Sequence, residues 1–234
     1  MFIDNYYSEK NSRILISKQQ ASNFAKTIAD DFNPIHDPDS KNFCVPGDLL
    51  FSLILKRYGL SQRMTFTFSG MVGDSVPLHF PTAAAQFAIT DDNEKQYLNV
   101  EHQGAVSTDK NLIETFSKNY VAFSGKNFPD LIVPLMEKHN VMINPARPLV
   151  IYESMSIDLE TLDFQQATLE LTNTSLTVQG KKGMALLEFC VASEGKVVGR
   201  GLKRLALRGL QEFDQESVDG MVKLYKERKA TLAP

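Results

Sequence analysis

The sequence predicts an α+β protein in which antiparallel strands wrap a buried helix, with that arrangement occurring twice along the chain. Three observations lead there. Residues 49–55 form an apolar run, Leu-Leu-Phe-Ser-Leu-Ile-Leu, so a helix there must be enclosed on nearly all sides. Several β-rich segments follow it with no helical pattern between them. A second cycle of helix and then strands starts near Phe128.

Taken in order, residues 17–30 read as a helix, because Ala21, Phe24, Ala25 and Ile28 recur at helical spacing and Ser17 with Gln20 makes a capping-box pattern. Pro34 disfavours helical geometry at Asn33 and has no backbone donor, so this helix is expected to stop near Asp31. Pro46-Gly47-Asp48 opens the buried helix, and Lys56, Arg57 and Gly59 close it. Strands are expected at 64–68, 76–80, 86–90 and 96–100, with turns at Gly73-Asp74 and 91–94. In the second cycle Pro129 suits the first turn of a helix over 128–139 that carries Leu131, Ile132, Leu135 and Met136. Strands at 154–159, 167–171, 176–178, 184–192 and 197–207 follow, the last two joined by the hairpin signal Ser193-Glu194-Gly195-Lys196. Residues 214–229 form an amphipathic helix with Val218, Met221, Val222 and Tyr225 on one face, expected to pack on a sheet edge or against a second copy. The repeated order divides the chain into halves at 1–110 and 111–234.

Composition excludes several partners. The 234 residues carry a net charge of −3 with 25 Lys and Arg spread along the chain, so there is no concentrated basic face for nucleic acid. No apolar run reaches the length of a membrane span, and the amino terminus lacks the basic and apolar regions of a secretory signal, so a cytoplasmic protein without a membrane partner is expected. Cys44 and Cys190 lie far apart without CxxC spacing, which suggests neither a disulfide framework nor a metal site. His79, His102 and His139 have no metal-ligand spacing and read as structural.

The chemistry concentrates in Asp31-Phe32-Asn33-Pro34-Ile35-His36, where a carboxylate and an imidazole sit five residues apart on a turn set by Asn-Pro. This hexapeptide, followed by Gly47 at the mouth of an apolar helix and by Met71-Val72-Gly73-Asp74 after a strand, resembles the MaoC-like (R)-specific enoyl-CoA hydratases over roughly residues 12–80. The resemblance implies a hot-dog fold, here two tandem halves of which the second is catalytically silent. It also implies that Asp31 and His36 activate a water that adds to a trans-2-enoyl thioester, with Asn33 in the binding turn and the Gly47 amide as oxyanion donor. The partner would be an acyl thioester of CoA or acyl carrier protein. No cofactor is called for, and a homodimer is compatible with the pattern. Those residue types suit the reaction, which needs a water deprotonated, a proton delivered to C2, and a donor for the enolate oxygen.

The sequence departs from the family where His36 is followed at once by Asp37-Pro38, one residue short, and where the segment 41–47 is shorter with Pro46 in place of a histidine. Two further functions therefore stand beside hydration: a non-catalytic acyl-chain or acyl-CoA binding protein, and an acyl thioesterase. The thioesterases of this fold usually use a carboxylate on the central helix, for which Asp48 is the candidate. Lys181, Lys182, Lys203, Arg204 and Arg208 fit CoA phosphates and a solvated strand face equally well.

Overall fold

The computed structural model describes residues 1–126 and 128–232. A hairpin of β1 (Ser8–Lys10) and β2 (Arg13–Leu15) leads into α1 (Lys18–Thr27), α2 (Gly47–Tyr58), β3 (Leu60–Phe68), β4 (Gln86–Thr90) and β5 (Gln96–Ser107). There follow α3 (Lys110–Ser124), α4 (Ile132–Lys138), β6 (Val141–Met142), β7 (Val150–Leu159), β8 (Thr168–Gln179), β9 (Lys182–Ser193), β10 (Lys196–Arg208), β11 (Gln211–Glu212) and α5 (Gln215–Leu232).

The long strands make one antiparallel sheet of seven, in the order β4-β5-β3-β7-β10-β9-β8. Two single bridges, Ile14 with Leu78 and His79 with Thr90, extend it beyond β4. In each half the first strand after the helices lies innermost and the last lies beside it, so the sheet wraps the helices twice in the hot-dog manner. The halves meet where β3 pairs with β7, with Met64 opposite Ile157 and Phe66 opposite Met155. All four side chains are buried, and such cross-strand apolar pairs fix the register at the seam.

Helix α2 is enclosed as its composition requires: Leu49, Leu50, Phe51, Leu53, Ile54 and Leu55 are all buried. It ends at Gly59, whose φ of 88° and whose contact with the Ser107 carbonyl, 2.7 Å from where a Cβ would stand, both exclude a larger residue. The Ser17–Gln20 capping box forms as read, but α1 ends at Thr27 and Asp30 takes a left-handed φ of 53°, so the chain leaves the helix before Pro34 can act. The strand at 86–90 is found with those bounds, while the segments 167–171 and 176–178 are one strand, β8. β8 lies at the sheet edge and is largely exposed, so polar residues continue it without breaking a buried face.

The second wrapped helix differs from the expectation at 128–139. The longer helix is α3, whose Leu112, Ile113, Phe116, Tyr120 and Val121 are buried and whose ring at Tyr120 lies 4.5 Å from that of Phe51 on α2. Its Thr, Tyr, Val and Phe content is β-like, whereas the helical spacing and the Asp109 side chain, which accepts from Leu112 N at 2.8 Å, decide for helix. α4 occupies only Ile132–Lys138 and packs on a second apolar cluster with Leu176, Leu187, Leu205 and Leu207. Tyr152 touches both clusters, at the junction of the two halves.

Phe51 sits at the centre of the larger cluster, edge-on to Phe66 at 5.1 Å. Phe51→Ala is expected to destabilise the protein by about 3–5 kcal/mol, through lost burial and the cavity left behind. Urea unfolding measures it, and a loss below about 1 kcal/mol would mean that α2 is not the core of the fold.

Candidate active site

The loop after α1 is built from short-range hydrogen bonds. Asp31 N donates to Ala25 O at 2.9 Å, and the Asp31 carboxylate turns back to accept from Asn33 N at 2.9 Å. The Asn33 side chain accepts from Ile35 N at 3.1 Å and caps the 3-10 turn Pro34–His36. These i to i+2 bonds are what Asp and Asn contribute to turns, and they set both functional side chains by local geometry.

His36 Nδ1 lies 2.6 Å from the Cys44 carbonyl. A carbonyl only accepts, so Nδ1 carries the hydrogen and Nε2 of the neutral ring is left as a proton acceptor. Nε2 stands 3.6 Å from Asp31 Oδ2, with His36 mostly buried and Asp31 about a quarter exposed (27%). That spacing is too long for a direct hydrogen bond and suits two groups that contact the same small molecule.

Both residues line a cavity of about 600 Å³. Gly47 lines it too, at the start of α2, where Pro46 stands at the cap position without a side-chain cap. The first amides of a helix have no partner within it and carry the positive end of its dipole, so this is a place for a developing negative charge. A Cβ on Gly47 would stand 3.0 Å from the Phe68 ring and 3.1 Å from that of Tyr152, so a side chain there needs both rings to shift by a few tenths of an ångström. Away from the dyad the wall is apolar, with Ile132, Ile143, Leu149, Ile151 and Leu205.

Beside Gly47 the structure places a buried polar cluster. Asp48 is 8% exposed, Lys203 2% and Ser124 1%. Lys203 Nζ donates to Ser124 Oγ at 2.5 Å and to Ser124 O at 3.0 Å, and lies 4.2 Å from the Tyr152 ring. The Tyr120 and Tyr152 hydroxyls bond each other. Burial pushes Asp48 up from the ordinary carboxyl range against the pull of Lys203, and burial pushes Lys203 down against the pull of Asp48. Burial also raises Cys44 to about 11, so this cavity-lining thiol is no nucleophile.

Lys203 is therefore neither on a solvated strand face nor available to a CoA phosphate. The alternation of β10 carries the signal: Gly199, Gly201, Lys203, Leu205 and Leu207 share one parity, and the lysine stands in an otherwise apolar or glycine row. His102 is held by Ser61 Oγ and the Ala84 carbonyl, and His79 lies in a strand bridge.

The residues that depart from the family pattern have a structural use. Asp37 turns away from the dyad and joins Lys26 of α1, at 2.9 Å, to Arg228 of α5. Lys229 pairs with Asp30 at 2.5 Å, and the Tyr225 ring packs edge-on against Phe32 at 6.3 Å. α5 thus lies on the motif loop, and its Met221, Leu224, Tyr225 and Arg228 complete the cavity wall.

A family model described as a protein of unknown function (DUF3581) matches residues 1–216, and the chain belongs to that family. No curated protein sequence matches it. Among solved structures it is similar to an acyl-CoA thioesterase II, TesB2, from Mycobacterium marinum, at 9% identity and a TM-score of 0.45 over 92% of this chain and 100% of that one. It is similar to a conserved hot-dog protein of unknown function from Alicyclobacillus acidocaldarius, at 9% identity and a TM-score of 0.45 over 89% and 98%. A MaoC-like dehydratase matches at 10% identity and a TM-score of 0.43 over 87% and 98%.

Removing Asp37 leaves two cations facing each other across the loop. Asp37→Ala is expected to lower stability by about 2 kcal/mol, since two largely buried charge-assisted contacts are lost while Lys26 keeps only Ser22 Oγ and Arg228 only the Phe32 carbonyl as neutral acceptors. Denaturant titration measures this, and an effect below about 0.5 kcal/mol would mean that solvent screens the contact.

Proposed function

We propose that this member of the DUF3581 family catalyses the reversible hydration of a trans-2-enoyl thioester, carried on CoA or an acyl carrier protein. The observation that carries the reading is the pair Asp31 Oδ2 and His36 Nε2, 3.6 Å apart on the wall of the cavity that Gly47 also lines. A water between the two is oriented by the carboxylate and gives its proton to Nε2 as its oxygen bonds C3. The displaced π pair moves toward the thioester carbonyl, and the amide at the start of α2 stabilises the oxygen. Asn33 keeps Asp31 in place through its backbone amide. The acyl chain lies along the apolar wall, as ligand pockets of this size and lining allow.

The motif belongs to residues 1–110, and the sequence of 111–234 repeats neither Asp31 nor His36 in that frame, so each chain carries one such site. Thioester hydrolysis is the second reading, favoured by Asp48 at the cavity on the first turn of α2. Its raised pKa works against it as the base that hydrolysis needs.

Asp31→Asn and His36→Ala are each expected to lower kcat by about 10²-fold or more with the fold retained. Loss of enoyl-thioester absorbance, with crotonyl-CoA and longer trans-2-enoyl-CoAs, measures it. Wild-type protein that binds these substrates and never consumes them would mean an acyl-binding protein instead.

A further inference from the structure

The buried polar cluster has an order that the dyad leaves unused. Lys203 Nζ donates to Ser124 Oγ at 2.5 Å, and both residues act on the Asp48 carboxyl. Asp48 lines the cavity, yet its Oδ1 has no hydrogen-bond partner among the described residues. A buried carboxyl oxygen without a partner calls for a ligand, and its place beside Gly47 puts it where the thioester end of a substrate would lie. Hydration also needs a proton at C2, on the far side of the double bond from the carbon that the water attacks.

We propose that Asp48 is the acid of the reaction, giving its proton to C2 of the enoyl thioester while His36 takes a proton from the water that adds at C3. This rests on the hydration reading. In the step the water oxygen bonds C3, the C2–C3 π pair passes through the thioester enolate, and that pair then forms the new C2–H bond with the Asp48 proton. The ionised Asp48 regains a proton from solvent through the cavity that it lines, and protonated His36 returns one, so one water has been added and the protein is unchanged. Dehydration uses the same groups in reverse.

Burial fits Asp48 to this role by favouring its acid form. Lys203 and Ser124 oppose that shift, Asp31 adds to it by repelling a second negative charge, and His36 opposes it. The other titratable groups facing it, Tyr120 of α3 and Tyr152 of β7, are pushed well above their ordinary range by burial and stay neutral.

The test is crotonyl-CoA hydration across pH. Asp48→Asn is expected to lower kcat by about 10²-fold or more with KM little changed. Wild-type activity should fall at high pH as Asp48 ionises. Lys203→Met and Ser124→Ala each remove an influence that holds the Asp48 carboxyl down, so both move that fall to higher pH, an effect that a structural role would not produce. Ser124→Ala changes little volume and serves where Lys203→Met does not fold. Asp48→Asn activity within about threefold of wild type, or a high-pH limb that stays put in the folded variants, overturns the proposal. Turnover retained in His36→Ala would instead strike the dyad, and wild type without hydration at any pH would strike both.

Discussion

Placing an ammonium group inside a protein is expensive unless hydrogen-bonding partners meet it, and Lys203 sits in the interior with 2% of its surface exposed. Ser124 at the end of α3 accepts two of its hydrogens, and the Tyr152 ring of β7 receives its charge. Lys203 and Ser124 both draw down the Asp48 carboxyl at the start of α2. This contact set ties β10 and β7 of one half of the sheet to the helices of both halves. Gly47, at the opening of α2, lies against the rings of Phe68 and Tyr152.

The site forms where these ties meet the motif loop. Local hydrogen bonds set Asp31 and His36 relative to each other, whereas their position over the cavity depends on Asp37 and its two cations. One cation comes from α1 and the other from α5, so the loop is held from both sides. An acyl thioester entering there would find an apolar wall for its chain and polar groups gathered at one end.

What the sequence made legible follows from how local each interaction is. The capping box of Ser17 and Gln20, the Asn33 turn and the buried apolar run of α2 are settled within a few residues, and all three are as read. α3 is hard to read because its β-like side chains mask the helical spacing, and the Asp109 cap that supports it is a single residue. Lys203 reads equally as a CoA-phosphate contact or a solvated residue because strand propensity says nothing of which side faces the core. Its partners lie in α2, α3 and β7, far along the chain, and only the folded sheet brings them together. The docking of α5 on the motif loop was hidden for the same reason: Arg228 and Asp37 carry no sequence mark of their pairing.

Hydration adds water to carbon and hydrolysis adds it to the thioester carbonyl, and the fate of the water oxygen separates the two directly. Crotonyl-CoA incubated with the protein in water carrying a heavy oxygen isotope, followed by mass spectrometry, locates that atom. Hydration places the label on the C3 hydroxyl of an intact 3-hydroxyacyl-CoA, which is the predicted result. Label in the carboxylate of a released fatty acid, with free CoA formed alongside, would contradict it.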